Sequence, residues 1–191
     1  MFKSSTYVQR RNELKKKIKS GIILFLGNNE APMNYAANTY AFRQDSTFLY
    51  YFGLDHSDLA AVIDLDENKE IVYGDDFTID DIVWMGPQPT LKQRASKCGI
   101  KLTGTAADLE VFCSNAVKQG RKIHFIPQYR HDNILKLHQL LGIAPKRVND
   151  YASTELIKVI AEQRYIKSKE EIAEIEKAIE ISFEMQTAAM R

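Results

Sequence analysis

The chain has 191 residues, 26 Lys and Arg against 25 Asp and Glu for a formal net charge of +1, and 45% hydrophobic residues. That suits one globular domain, or one domain with part of another, able to bury a real core. The balanced charge argues against a nucleic-acid partner, which needs a basic face to gather phosphates, and no apolar run is long enough to cross a bilayer.

Residues 4–19 predict a strongly charged helix, with Lys15-Lys16-Lys17 on its solvated side. Gly21 breaks it. The continuous apolar run Ile22-Ile23-Leu24-Phe25-Leu26, closed by Gly27, reads as a strand buried on both faces. Residues 28–46 are rich in Asn, Ala and Pro and show no helical or strand period; so long a loop inside a compact domain points to function. The aromatic run 47–52 predicts a central strand ended by Gly53, with Phe48, Tyr50 and Phe52 on one face and Leu49 and Tyr51 on the other. Residues 59–65 and 70–73 predict two further strands, joined through Asp66-Glu67-Asn68-Lys69 as a hairpin.

Residues 78–85 predict a short helix with Thr78 as N-cap and Asp81 three residues later, stopped by Gly86-Pro87. A second short helix covers 89–97. Thr105 and Asp108 form a capping-box pattern at the head of a helix over 105–119. Residues 122–126 predict a strand and 131–141 a helix with Ile134, Leu137, Leu140 and Leu141 facing inward. Strands and helices thus alternate around one hairpin, which argues for an α/β fold: a mixed β-sheet flanked by helices. Beyond Asp150 the texture changes. Residues 153–164 predict one helix, and the capping box of Ser168 and Glu171 starts another. Its stripe of Ile172, Ile175, Ile179 and Phe183 runs almost to Arg191 with no stop signal, and such a face needs a surface to pack on. The expectation is an N-terminal domain over 1–150, and over 151–191 a linker helix and the start of a further domain of a longer protein.

Little in the residues alone announces chemistry. Cys98 and Cys113 form no secreted disulfide framework and read as small buried groups in a reducing compartment. The N-terminus lacks the apolar core of a signal peptide, so the expected location is cytoplasmic. His124, His131 and His138 are seven residues apart; on a helix that spacing spans roughly 10 Å, too far to share one zinc ion. Glu170, Glu171, Glu174 and Glu176 interleave with Lys169 and Lys177 as a solvated, ion-paired helix face. No GxSxG, HExxH, P-loop or GxGxxG pattern occurs. The single tryptophan, Trp84, is either a core or edge anchor or, beside its Gly-Pro turn, an outward-projecting binding residue.

The stretch Asn38-Thr39-Tyr40-Ala41-Phe42-Arg43-Gln44-Asp45-Ser46, followed by Phe48-Leu49-Tyr50-Tyr51-Phe52-Gly53, closely resembles a signature of the Xaa-Pro aminopeptidase (aminopeptidase P) family. Arg10-Arg11, Trp84-Met85-Gly86, and Arg164 through Lys167-Ser168 to Glu171-Ile172 extend the resemblance over most of the chain. Ala41 stands where relatives commonly carry proline, and Pro87 where basic residues follow the glycine. The resemblance implies a creatinase-like N-terminal domain ahead of a pita-bread catalytic domain. In that second domain two Asp, one His and two Glu hold a pair of divalent metals, commonly manganese, whose bridging hydroxide attacks the bond ahead of proline. None of those ligands is assigned within residues 1–191, so the chain alone is expected to be catalytically silent.

The partners implied are a peptide with proline at its second position, the chain's own catalytic domain, and further copies in a homo-oligomer; no nucleic acid and no membrane are implied. In bacterial relatives the tryptophan equivalent to Trp84 reaches into a neighbouring subunit's active site, and Trp84 is expected to do so here. Arg43 is expected to pair with a carboxylate or with loop carbonyls and so fix the backbone. Asn38 and Tyr40, on the same loop, are expected to border the cleft between domains. Two alternatives are a metal-free peptide-binding module of this fold, as in histone-chaperone relatives, and a prolidase- or creatinase-type hydrolase.

Overall fold

Ile22–Leu26 (β1) is a strand with all five residues buried, in a computed structural model that describes residues 2–191. It pairs antiparallel with Ala60–Asp64 (β2), which pairs antiparallel with Lys69–Tyr73 (β3). Leu102–Gly104 (β4) adds in parallel outside β3, and Ile123–His124 (β5) in parallel outside β1. The result is a mixed five-stranded sheet in the order β4-β3-β2-β1-β5, with both edge strands short.

Strand alternation divides the core in two. Ile23, Phe25, Ala61, Ile63 and Val72 face one layer of helices: Ser4–Lys17 (α1), Ser46–Phe52 (α2), Leu91–Ser96 (α4) and Thr154–Tyr165 (α7). Ile22, Leu24, Leu26, Ala60 and Val62 face the other: Ala106–Lys118 (α5), His131–Leu141 (α6) and a 3-10 turn over Pro145–Tyr151. The doubly apolar run of β1 therefore has the environment its sequence predicts. The capping boxes at Thr105 and Ser168 form as expected, each with its Asp or Glu partner three residues on.

The aromatic run 47–52 is a helix, not the central strand expected. Asp45 caps it: Oδ1 accepts the backbone N–H groups of Thr47 and Phe48, both at 2.9 Å. At the other end Gly53 adopts the left-handed conformation at φ 63° and donates its N–H to Leu49 O. Between those caps Phe48, Tyr51 and Phe52 fall at helical spacing and are fully buried, each contributing about 1.5–3 kcal/mol by burial. Local capping thus outweighs β propensity. A Cβ at Gly53 would lie 2.2 Å from Tyr7 Cζ, so glycine also admits α1. Strand β4 has no counterpart in the expected elements; it is three residues long and borrows its register from β3.

Arg10 and Arg11 bind this layer together. Arg11 is fully buried and donates to Glu70 Oε2 at 2.8 Å, Tyr51 O at 2.9 Å and Cys98 O at 3.0 Å. Burial pushes the Glu70 carboxyl up, but the Arg11 charge and the Lys15 hydrogen bond outweigh it and hold it below its ordinary value. Arg10 lies over the Tyr50 ring at 4.0 Å, donates to Tyr50 O, and pairs at 3.3 Å with Glu171 of the last helix, Lys169–Ala189 (α8). That ion pair fixes the first turn of α8. No residue of α8 is buried: Ile172, Ile175, Ile179 and Phe183 lie open. Among the described residues no helix is long and apolar enough to cross a membrane.

Candidate functional site

Beyond the C-terminal end of β1 the chain enters the long loop, which is tied down by one buried side chain. Gln44 Oε1 accepts the backbone N–H of Asn28 at 2.6 Å and that of Asp45 at 2.9 Å, and its Nε2 donates to His56 O at 2.6 Å. Asn28 is also buried; its Nδ2 donates to Arg43 O at 2.9 Å. The anchoring role expected of Arg43 therefore belongs to Gln44, whose amide offers a donor and an acceptor at once where a guanidinium offers donors only. Arg43 contributes a backbone carbonyl, and its side chain is exposed.

The middle of the loop forms a small hairpin of its own. Met33 N donates to Asn38 O and Tyr40 N to Ala31 O. Asn38 Nδ2 donates to Asn34 Oδ1 at 2.7 Å, and the Tyr40 ring is exposed. The chain after β5 returns to the same end of the sheet, bringing Tyr129 and Arg130 beside Asn28, Arg43, Gln44, Asp45 and Ser46. Together they line a cavity of about 370 Å³ off the C-terminal ends of the parallel pair β1 and β5, where ligands of open α/β sheets commonly sit. Of the sequence-predicted site residues Arg43 lines this cavity, while Asn38, Tyr40 and Trp84 do not. Tyr129 and Arg130 carry no motif, and only the fold places them here.

Trp84 lies on Ile79–Met85 (α3), where Thr78 and Asp81 form the expected capping box. No residue of α3 is buried, and Trp84 is 87% exposed, so the outward-projecting alternative holds for this chain. With Ile79, Val83 and Met85 it makes an open apolar patch, the kind of surface that marks an interaction site.

The titratable groups are otherwise engaged in structure. His124 is buried, with Nδ1 2.8 Å from Ser153 Oγ and Nε2 3.2 Å from Ser20 O. Burial and Lys122 hold it below its ordinary value, so the neutral ring donates from Nε2 and accepts at Nδ1. Burial likewise lowers Lys136, against the pull of Asp58 and Asp132. Burial pushes the Cys113 thiol up to about 12, leaving it unreactive. Among the described residues no three His, Cys, Asp or Glu side chains are grouped to hold a metal ion, so the residues present do not fit a dinuclear centre.

The family model described as "Aminopeptidase P, N-terminal domain" matches residues 7–124, more than half of the chain. The chain belongs to this family. A "Probable Xaa-Pro aminopeptidase" of Aspergillus terreus is 26% identical over 176 residues, covering 91% of the chain and 34% of that relative. One of Ajellomyces dermatitidis is 24% identical over 163 residues, covering 85% of the chain and 31% of its own length. The chain thus spans about a third of the curated relatives it matches. Among solved structures, zinc-substituted Escherichia coli aminopeptidase P in complex with product superposes with a TM-score of 0.70 at 18% identity, covering 90% of the chain and 41% of that structure. A substrate complex of the same bacterial enzyme gives the same figures. The mixed sheet flanked by helices is the fold of the aminopeptidase P N-terminal domain.

Proposed function

We propose that this chain is the non-catalytic N-terminal part of a metal-dependent Xaa-Pro aminopeptidase, which releases the residue preceding proline from a peptide. The observation that carries the reading is the aminopeptidase P N-terminal match over residues 7–124, running through the Arg43-Gln44 loop and Trp84. Residues 1–150 form the N-terminal domain, and 151–191 lead from it into a catalytic domain. That domain holds the pair of divalent metals, manganese in the reading offered here, and the metals supply the activated water. In the cytoplasm the whole protein is a homo-oligomer, and Trp84 on α3 closes a neighbouring substrate pocket.

What these residues contribute is shape and exclusion of water. The apolar patch of Ile79, Val83 and Trp84 would lose its hydration on contact with a second subunit, and a rigid indole is suited to line a pocket for a peptide. The open stripe of α8 is covered by the catalytic domain.

The test is turnover of Xaa-Pro-Xaa tripeptides and Xaa-Pro dipeptides by the full-length protein with manganese. Release of the first residue from tripeptides, abolished by chelation and restored by metal, is expected. Cleavage of dipeptides alone would replace this reading with a prolidase, and no cleavage of either would leave a peptide-binding module.

A further inference from the structure

Three of the four buried side-chain polar atoms that lack a hydrogen-bond partner among the described residues are amide oxygens: Asn28 Oδ1, Asn29 Oδ1 and Asn133 Oδ1. Asn28 and Asn29 follow β1, and Asn133 is in the first turn of α6 behind Arg130. A buried acceptor without a donor costs about 1–3 kcal/mol, and native proteins keep few of them. Asn28 is 3% exposed and lines the cavity that Arg43 and Arg130 also line.

The charges around that cavity are unequally spent. Arg130 is paired with Asp132 at 3.2 Å and donates to Asn29 O at 3.0 Å. Asp45 Oδ1 is occupied by the two N–H groups that begin α2. Arg164 stands behind Ser46 and Thr47, 3.4 Å and 3.1 Å from their hydroxyls, and adds positive charge. Arg43 alone has a guanidinium with no hydrogen bond or ion pair among the described residues. A free donor fork therefore stands in the same cavity as an acceptor that wants an N–H.

We propose that this cavity binds the C-terminal end of a peptide, its carboxylate on Arg43 and its last amide N–H on Asn28 Oδ1. A guanidinium holds a carboxylate through two parallel N–H···O bonds, a geometry a lysine does not match. The exposed Tyr129 ring flanks the terminal side chain. That the ligand is a peptide rests on the proposed function; the free fork and the orphaned acceptor do not.

The 191-residue chain is titrated calorimetrically with an Xaa-Pro-Xaa tripeptide, the same tripeptide as its C-terminal amide, and N-acetylglycine. The free acid is expected to bind at least about tenfold more tightly than the amide, the effect of losing a charge-assisted contact. Arg43→Ala should bring the acid down to the level of the amide without changing the melting temperature, because the exposed side chain supports nothing else. Arg43→Lys should fall between. Equal binding of acid and amide, unchanged affinity in Arg43→Ala, or no binding of the acid at millimolar concentration would overturn the proposal. N-acetylglycine binding where the tripeptide acid does not would overturn the peptide assignment. Failure of the full-length protein to cleave proline peptides would overturn the proposed function while leaving this titration to be judged on its own result.

Discussion

The side-chain oxygen of Gln44 sits 2.6 Å from the backbone nitrogen of Asn28, sixteen residues earlier in the chain. That bond closes the long loop onto the end of β1, and the Gln44 nitrogen carries the closure on to His56 O. Gln44→Leu would keep the volume and strand three backbone groups. It is expected to cost about 2–4 kcal/mol in urea unfolding, with a fall of the same direction in the melting temperature. A change below about 0.5 kcal/mol would mean that water replaces the side chain without loss.

Arg11→Met removes a fully buried charge and leaves Glu70 short of a partner, with Lys15 still 2.7 Å away. Breaking a buried pair from one side typically costs about 3–5 kcal/mol. The double change Arg11→Met with Glu70→Gln should recover part of that loss, and the comparison of single and double variants measures the coupling.

Acid should destabilise the protein in two stages. His124 titrates below its ordinary 6.5 in the folded state, so the unfolded chain takes up the proton first. Its contribution is fully present above about pH 6.5 and is lost as pH falls through the lowered folded value. Glu70 is also lowered, so its contribution is present above its ordinary 4.5 and disappears at lower pH. Denaturant midpoints measured against pH should show both steps, and His124→Gln should lack the first.

Gly53→Ala meets two obstacles. The left-handed conformation costs an L-residue about 1–2 kcal/mol, and the new methyl would overlap the buried Tyr7 ring. The variant should therefore lose more than the backbone strain alone. In a Tyr7→Ala background the same change should cost only the strain, as unfolding of the four proteins of the cycle would reveal.

Trp84→Ala should leave the stability of the chain within about 0.5 kcal/mol, because the indole packs on nothing. The sole tryptophan should emit like the free amino acid and be readily quenched by iodide. In the full-length oligomer its emission should shift to the blue, and Trp84→Ala should lower tripeptide turnover. An unshifted, fully quenchable signal there would separate Trp84 from any pocket.

Most of the sheet was legible because its strands are written in unambiguous chemistry. β1 is apolar at every position, and the β2–β3 hairpin has its turn residues where the sequence places them. The helices with a capping box were equally plain. The run 47–52 misled because aromatic and β-branched residues favour strands in general. Asp45 before it and Gly53 after it were the better signals, and they mark a seven-residue helix. Arg43 drew attention by its charge, yet the neutral neighbour does the anchoring. Tyr129 and Arg130 are more than eighty residues from Arg43, and no local pattern could bring them to one cavity. The exposure of Trp84 was undecided by sequence, since a tryptophan before a turn reads equally well as an anchor or a contact.

The two outermost strands have three and two residues. Peptide groups left unpaired at such stubs offer almost no template for a foreign strand to add to, and the sheet is thereby protected from growing into a fibre. The adhesive surfaces sit instead on helical rods at α3 and α8. Self-association of the isolated polypeptide should accordingly be side-chain driven and readily reversed by mild detergent, with no gain in thioflavin-binding structure.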